Sequence, residues 1–413
     1  MFSALILWPV LVAVEAPIAD GQALSFDAAL GLARSTPAVM GRAQAAHDKA
    51  ALDDEIAAVP FNPQLTVQPG WRFSPADARQ PELLAEIVQP WNLSGHSGAR
   101  RRAARVEEDA LLAQARVAAL DARLGAARAW IDVWAAERLL EEARREEAIA
   151  GELERLVARA ASLRALTRAD LAEARAYHAE ARGTVLAAEG DLYLRGVSLS
   201  REVGSPEVAP LRTAGPLPSP PIPSAGELAA LLQQAVSLPL VEARALQARA
   251  ARAREIEDHA ARGTILQLGA VVQRDAPGGL VVSGLARVTF PFFERGERER
   301  AGMRAEAAAL DGERAQALLT ARADVASSVH EVEHTGAMLA VIRDDLVPAS
   351  REAAQTRRRI FENGGATLLE VLQSDRAAVV AASRQWRIDA EHAWARTKLW
   401  LLLAEVALRG ARP

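Results

Sequence analysis

The chain has 413 residues, a formal net charge of -4, no cysteine, and aromatic residues at only 4%. A length that would ordinarily fill two or three globular cores is short of large side chains here, and suits thin helical packing in which Ala and Leu let helices approach while Arg and Glu cover the outside. The absence of cysteine excludes disulfides, thiolate metal sites, cysteine nucleophiles and a lipid-bearing cysteine, and no basic block offers a footprint for nucleic acid.

In chain order, Leu5 to Val14 is an apolar run of signal-peptide length, too short to cross a bilayer as a helix, and Gly21-Gln-Ala23 offers small residues for cleavage. Residues 1–23 are expected to be a signal peptide, although no Lys or Arg precedes the run. No stretch of eighteen apolar residues occurs elsewhere, so no transmembrane helix is predicted.

From Gln64 to Phe73 the chain alternates strictly: Leu65, Val67, Pro69, Trp71 and Phe73 point one way, and Gln64, Thr66, Gln68, Gly70 and Arg72 the other. Further strands are predicted over Leu83 to Trp91, Ile265 to Gln273 and Leu280 to Phe290. Strands of about ten residues with one apolar and one polar face suit a transmembrane β-barrel, whose outer face meets lipid and whose inner face meets water. A half-buried sheet of a soluble protein would show the same alternation. The aromatics Trp71, Phe73, Trp91, Phe290, Phe292 and Phe293 gather near strand ends, as an interfacial girdle would, and favour the barrel. Four strands cannot close a barrel alone, since the smallest membrane barrels have about eight, so several chains must share one.

Between Ser94 and Ala161 there is no proline, and Ala, Leu, Arg and Glu recur at helical spacing, which predicts a rod on the order of 100 Å at about 1.5 Å per residue. A return helix is expected over Thr167 to Val203, making an antiparallel helical hairpin. Charged stripes such as Glu141 to Glu147 read as solvated faces with local ion pairs. Residues 204–226 carry seven prolines, which forbid regular helix or strand and predict a semi-rigid connector. A second long helical run follows from Gly296 to Glu362, interrupted by Pro348, and a second return helix from Thr367 to Leu408.

The two halves are copies, with a period of about two hundred residues. Gln89-Pro-Trp-Asn-Leu-Ser-Gly95 is answered by Phe290-Pro-Phe-Phe-Glu-Arg-Gly296, and Thr167-Arg-Ala-Asp-Leu-Ala-Glu173 by Thr367-Leu-Leu-Glu-Val-Leu-Gln373. Phe26-Asp-Ala-Ala-Leu with Ala33 and Pro37 is echoed by Leu228-Ala-Ala-Leu-Leu with Ala235 and Pro239. Residues 24–203 and 227–409 are therefore expected to be two repeats of helix, two strands, long helix and return helix, joined by the proline-rich linker.

This plan, with the Pro-aromatic passages at Pro90 and Pro291 and the turns at Thr167 and Thr367, resembles the TolC family of outer-membrane efflux proteins over about Leu24 to Leu408. Phe290 to Arg298 and Asn363 to Leu372 look most similar to the branch serving heavy-metal efflux pumps of the resistance-nodulation-division type. The resemblance implies a mainly α-helical chain with a membrane β-barrel portion, in which three copies each give four strands to a shared twelve-stranded barrel and the helices continue it as a tunnel across the periplasm. It implies a passive exit duct in the bacterial outer membrane for metal cations or drugs, docked to a periplasmic adaptor and an inner-membrane transporter of the resistance-nodulation-division type. It also implies that the helix starts at Asp170 and Thr367 follow periplasmic tips. Glu370 then stands where the family places an acidic ring, Gln373 replaces a second acid, and Ala366 replaces the arginine that latches the tip in some members. The tip glycine is kept at Gly364 and replaced by Arg164 in the first repeat.

His330-Glu-Val-Glu-His334 satisfies two zinc-protease patterns, with both imidazoles on one helix face and Glu331 or Glu333 available to activate a metal-bound water. No third ligand follows at a recognised spacing, and His and Glu fall together often in an Ala/Arg/Glu helix. A zinc peptidase using His330, Glu331 and His334 is therefore the second reading, and a soluble coiled-coil scaffold the third. No phosphate loop, nucleophile elbow or paired-carboxylate arrangement is present, so neither enzyme activity nor a cofactor is expected.

Overall fold

A computed structural model describes residues 23–410, apart from 60, 75–76, 208, 223, 225, 229–232, 234–237, 276–278 and 294–295. The expected signal peptide thus lies outside the described residues except for Ala23. The elements run β1 (Ala23–Ser25), α1 (Phe26–Arg34), α2 (Pro37–Ala58), β2 (Gln64–Ser74), β3 (Asp77–Asn92), α3 (His96–Ser162), α4 (Arg168–Glu202) and β4 (Arg212–Ala214). They continue with α5 (Pro239–Ala261), β5 (Ile265–Asp275), β6 (Gly279–Thr289), α6 (Glu297–Val341), a π-helical segment (Ile342–Leu346), α7 (Val347–Glu362) and α8 (Leu368–Gly410). The four long strands and both helical hairpins stand where the alternation and the Ala/Arg/Glu runs place them. β3 begins earlier than the Leu83 start expected, because its N-terminal part pairs with β2 down to Ser74 and Asp77.

The chain divides into two compact units, each built from both sequence halves. The first holds 23–37, Asp121–Ser224 and Ala326–Leu403. Its core gathers Trp130, Ile131 and Val133 of α3 with Leu192 and Leu199 of α4, Ala29 and Ala33 of α1, and Ala390 and Ala393 of α8. Alanine at the contact positions is what lets the helices come this close. Trp130 is fully buried, meets Phe26 edge-on at 5.5 Å, and donates its indole N–H to the Leu24 carbonyl at 2.7 Å. A second cluster in the same unit packs Leu153 and Val157 of α3 and Tyr177 of α4 under Leu368, Val371 and Leu372 of α8.

One expectation is corrected here. Residues 212–214 of the proline-rich linker form a strand, β4, which pairs in parallel with β1. The prolines flank this stretch, leaving Arg212, Thr213 and Ala214 free to give their backbone groups to β1. Glu137 secures it by accepting hydrogen bonds from the Thr213 amide, at 3.1 Å, and from its hydroxyl. Leu211 lies so near α4 that a Cβ on Gly196 would come within 2.8 Å of the Leu211 carbonyl oxygen, so glycine is required there. At Pro348 the long run does not stop. The Val347 amide reaches back five residues to Ile342, and this wider turn carries the helix past a proline that has no N–H to give.

The second unit holds Ala38–Leu120 and Ala225–Val325 with the chain after 403. It contains the four-stranded sheet and the helical segments next to it. Ion pairs tie these helices together: Glu107 of α3 is 3.1 Å from Lys49 of α2 and 2.5 Å from Arg254 of α5, and Arg304 of α6 is 2.6 Å from Glu255 of α5.

Candidate functional site

The sheet is antiparallel throughout in the order β2-β3-β5-β6, leaving β2 and β6 each with one neighbour among the described residues. Its register puts like with like. Leu65 pairs with Ile87, Ala85 with Val272, Trp91 with Leu266, and Val272 with Val282, so one face is apolar across all four strands. These side chains are not covered: Leu65 is 70% exposed, Val282 66% and Trp71 63%. The opposite face carries Gln64, Thr66, Gln68, Glu86, Gln267, Ser283 and Arg287, with Arg287 paired to Glu86 at 3.5 Å. An uncovered apolar face of this extent calls for an apolar medium or a partner, not water.

The predicted aromatics stand at both ends of this face. Trp71 lies opposite Pro81, and Trp91 follows ten residues later on β3. At about 3.3 Å per residue that is about 33 Å of strand, and a tilt of about 40° reduces it to the roughly 25 Å of a membrane apolar band. Phe290, Phe292 and Phe293 cluster just beyond β6, all exposed, on the side where strands pass into helices. Phe73 lies in β2, and its side chain is outside the described residues.

Both strand-to-helix passages turn on a glycine with positive φ, Gly95 at +74° and Gly296 at +73°. Each begins its helix by accepting a bond on its carbonyl, from Ala99 at 3.1 Å and from Arg300 at 3.0 Å. Only glycine takes this left-handed conformation without cost, which explains why both repeated passages end in Gly. Their signal was present in the sequence as the last letter of each echo.

The two turns read as tips, both in the first unit, have the same construction. In the first, Ala165 donates to the Ala160 carbonyl at 2.9 Å and Arg164 holds φ +58°. In the second, Gly365 donates to Ile360 at 2.9 Å and Gly364 holds φ +76°. Thr167 and Thr367 then cap the following helices. The Asp170 and Glu370 amides donate to the threonine hydroxyls at 3.1 and 3.3 Å, and their carboxylates accept the threonine amides at 2.8 and 2.9 Å. These are reciprocal capping boxes. The Thr167 hydroxyl and amide hold the Asp170 carboxyl below the usual carboxylate range, and the Thr367 amide and hydroxyl, with Arg357 beyond them, do the same for Glu370. Arg357 of α7 pairs with Glu370 at 3.1 Å across the turn, a partner that no local spacing announced. Gln373 is exposed one turn further on.

His330 and His334 stack at 5.7 Å on α6, exposed together with Glu331 and Glu333, and no group of three metal-ligating side chains exists among the described residues.

No family model matches the sequence, and no curated protein matches it. Solved structures do. The outer-membrane channel OprN aligns over 92% of this chain and 89% of its own with a TM-score of 0.75 and 16% identity. CusC, solved in a study of folding and transmembrane channel formation, aligns over 95% of both chains at a TM-score of 0.69 and 14% identity. The outer membrane protein VceC of Vibrio cholerae aligns over 92% of this chain and 95% of its own at 0.66 and 16% identity. With its open four-stranded sheet and paired long helices, this chain has the fold of the outer-membrane channels, the TolC-type fold that its repeats resemble.

Proposed function

We propose that the chain is the outer-membrane exit duct of a tripartite efflux system. Three copies close one barrel from four strands each, and the duct passively conducts metal cations or drugs delivered by an inner-membrane transporter of the resistance-nodulation-division type through a periplasmic adaptor. The observation that carries this reading is the open sheet: two edges unpaired among the described residues and an uncovered apolar face of membrane height. Unpaired strand edges in a bilayer cost several kcal/mol per backbone group, so β2 of one copy must meet β6 of the next. The fold shared with outer-membrane channels supports it. The mouth of the duct is assigned to the turns at Gly364 and Arg164, where Glu370 of three copies supplies a negative ring partly neutralised by Arg357, with Asp170 beside the first turn.

Light scattering on detergent-extracted protein tests the assembly, and planar-bilayer recording tests the channel. A trimer with conductance steps is expected, whereas a monomer soluble without detergent would overturn the proposal.

A further inference from the structure

We propose that the cleft at the second strand-to-helix passage seats the phosphate of an anionic phospholipid headgroup in the periplasmic leaflet of the outer membrane. The inference rests on the membrane reading above. The cleft encloses about 730 Å³ and is shared by the start of α3, the end of α5 and the residues after β6. Two kinds of side chain line it. Arg102, His259 and Arg262 are basic, and Ile256, Phe290 and Phe292 are apolar, with Phe292 70% exposed and Ile256 58% exposed. Among the described residues no carboxylate lines the cleft itself, Asp258 and Glu299 standing behind Arg262. A guanidinium beside exposed aromatics at the end of a lipid-facing strand matches a molecule with a phosphate at one end and acyl chains at the other.

Charge placement points the same way. The first turn of α3 has no acidic residue, and Arg100, Arg101 and Arg102 follow at once, next to a helix end whose own partial charge is positive. Arg100 leans on Glu257 at 3.8 Å, while Arg101 and Arg102 have no ion-pair partner among the described residues. Arg262 is oriented by Asp258 at 3.0 Å, with Glu299 at 3.6 Å behind it. Like charges crowded at the wrong helix end are stabilised by an external anion. On the helix side of the aromatic girdle, the abundant anion is a lipid phosphate.

The test uses the full-length trimer in detergent, delipidated and then titrated with phosphatidylglycerol or phosphatidylcholine, with bound lipid read by native mass spectrometry. The wild type should retain phosphatidylglycerol about fivefold over phosphatidylcholine, Arg102→Gln should lose that preference, and Arg102→Lys should keep part of it. Competition by inorganic phosphate alone, without any acyl-chain dependence, would reassign the cleft to a free anion and overturn the lipid assignment. Equal retention of both lipids by a conducting trimer would overturn the inference and leave the channel standing. Failure to form a trimer would instead remove the membrane reading on which it depends.

Discussion

At the first helical turn Arg164 holds φ +58°, a conformation that Gly364 takes freely at the second. A side chain there costs about 1–2 kcal/mol of local stability, because its Cβ crowds the following carbonyl. Arg164→Gly should therefore slow amide exchange in this turn by roughly fivefold or more, read by hydrogen-exchange mass spectrometry. The opposite change, Gly364→Arg, should speed exchange at the second turn. Glu370 has a more demanding position, since its carboxylate serves both the Thr367 cap and the Arg357 pair. Glu370→Gln keeps an acceptor for the cap and removes the charge, so cation preference and block by multivalent cations in bilayer recordings should fall while trimer assembly stays intact. Unchanged selectivity and block would place Glu370 away from the ion path. As its carboxyl is held below the usual range, its cap and charge are present above the ordinary carboxylate value and are lost only as pH falls through that lowered value.

At the scale of elements, helix pairing depends on small residues at contacts and on a few buried polar groups. His392 of α8 sits 3.0 Å from the Thr335 hydroxyl of α6, and a Cβ on Gly336 would lie 3.2 Å from the imidazole. Burial first, and Arg396 second, hold this histidine below its ordinary value of 6.5, against the weaker upward pull of Asp389. Arg343 adds a further cation nearby. The sign follows: the neutral ring's contribution is full above the ordinary histidine value and is lost as pH falls through the lowered one. Lowering the pH from about 7 to about 5.5 should reduce the melting temperature, and His392→Gln should flatten that dependence. Asp375 and Asp389 act in the opposite sense, because burial raises both.

For the whole molecule, the proposed barrel assigns one side of the sheet to lipid and the other to water. Val282 and Ser283 are neighbours on β6 that point to opposite faces. Val282→Arg should cost about 2–4 kcal/mol if it lies near the middle of the bilayer, and should sharply reduce trimer yield on heat-modifiability gels. Ser283→Arg should assemble normally and change conductance instead, because it would face the water-filled lumen. Equal tolerance of both arginines would refute the barrel. The comparison separates loss of a membrane face from general damage to the strand, as both substitutions use the same residue type on adjacent positions.

Much of this protein was legible in its sequence because the signals are local and periodic. Strict alternation over Gln64 to Phe73 marks a strand, and a proline-free Ala/Arg/Glu run marks α3. Each depends on residues within one or two turns of each other. What only the tertiary structure decided involves groups far apart in the chain. The pairing of Arg212–Ala214 with β1 arises because Glu137 and Gly196, on two different helices, offer a carboxylate and a bare backbone at the right places. Likewise, Arg357 reaches Glu370 only because the turn reverses the chain, and Arg102, His259 and Phe292 share a cleft only because the β3–β5 register brings their elements together. Sequence periodicity specifies which face an element presents. Long-range register and close packing determine what that face meets.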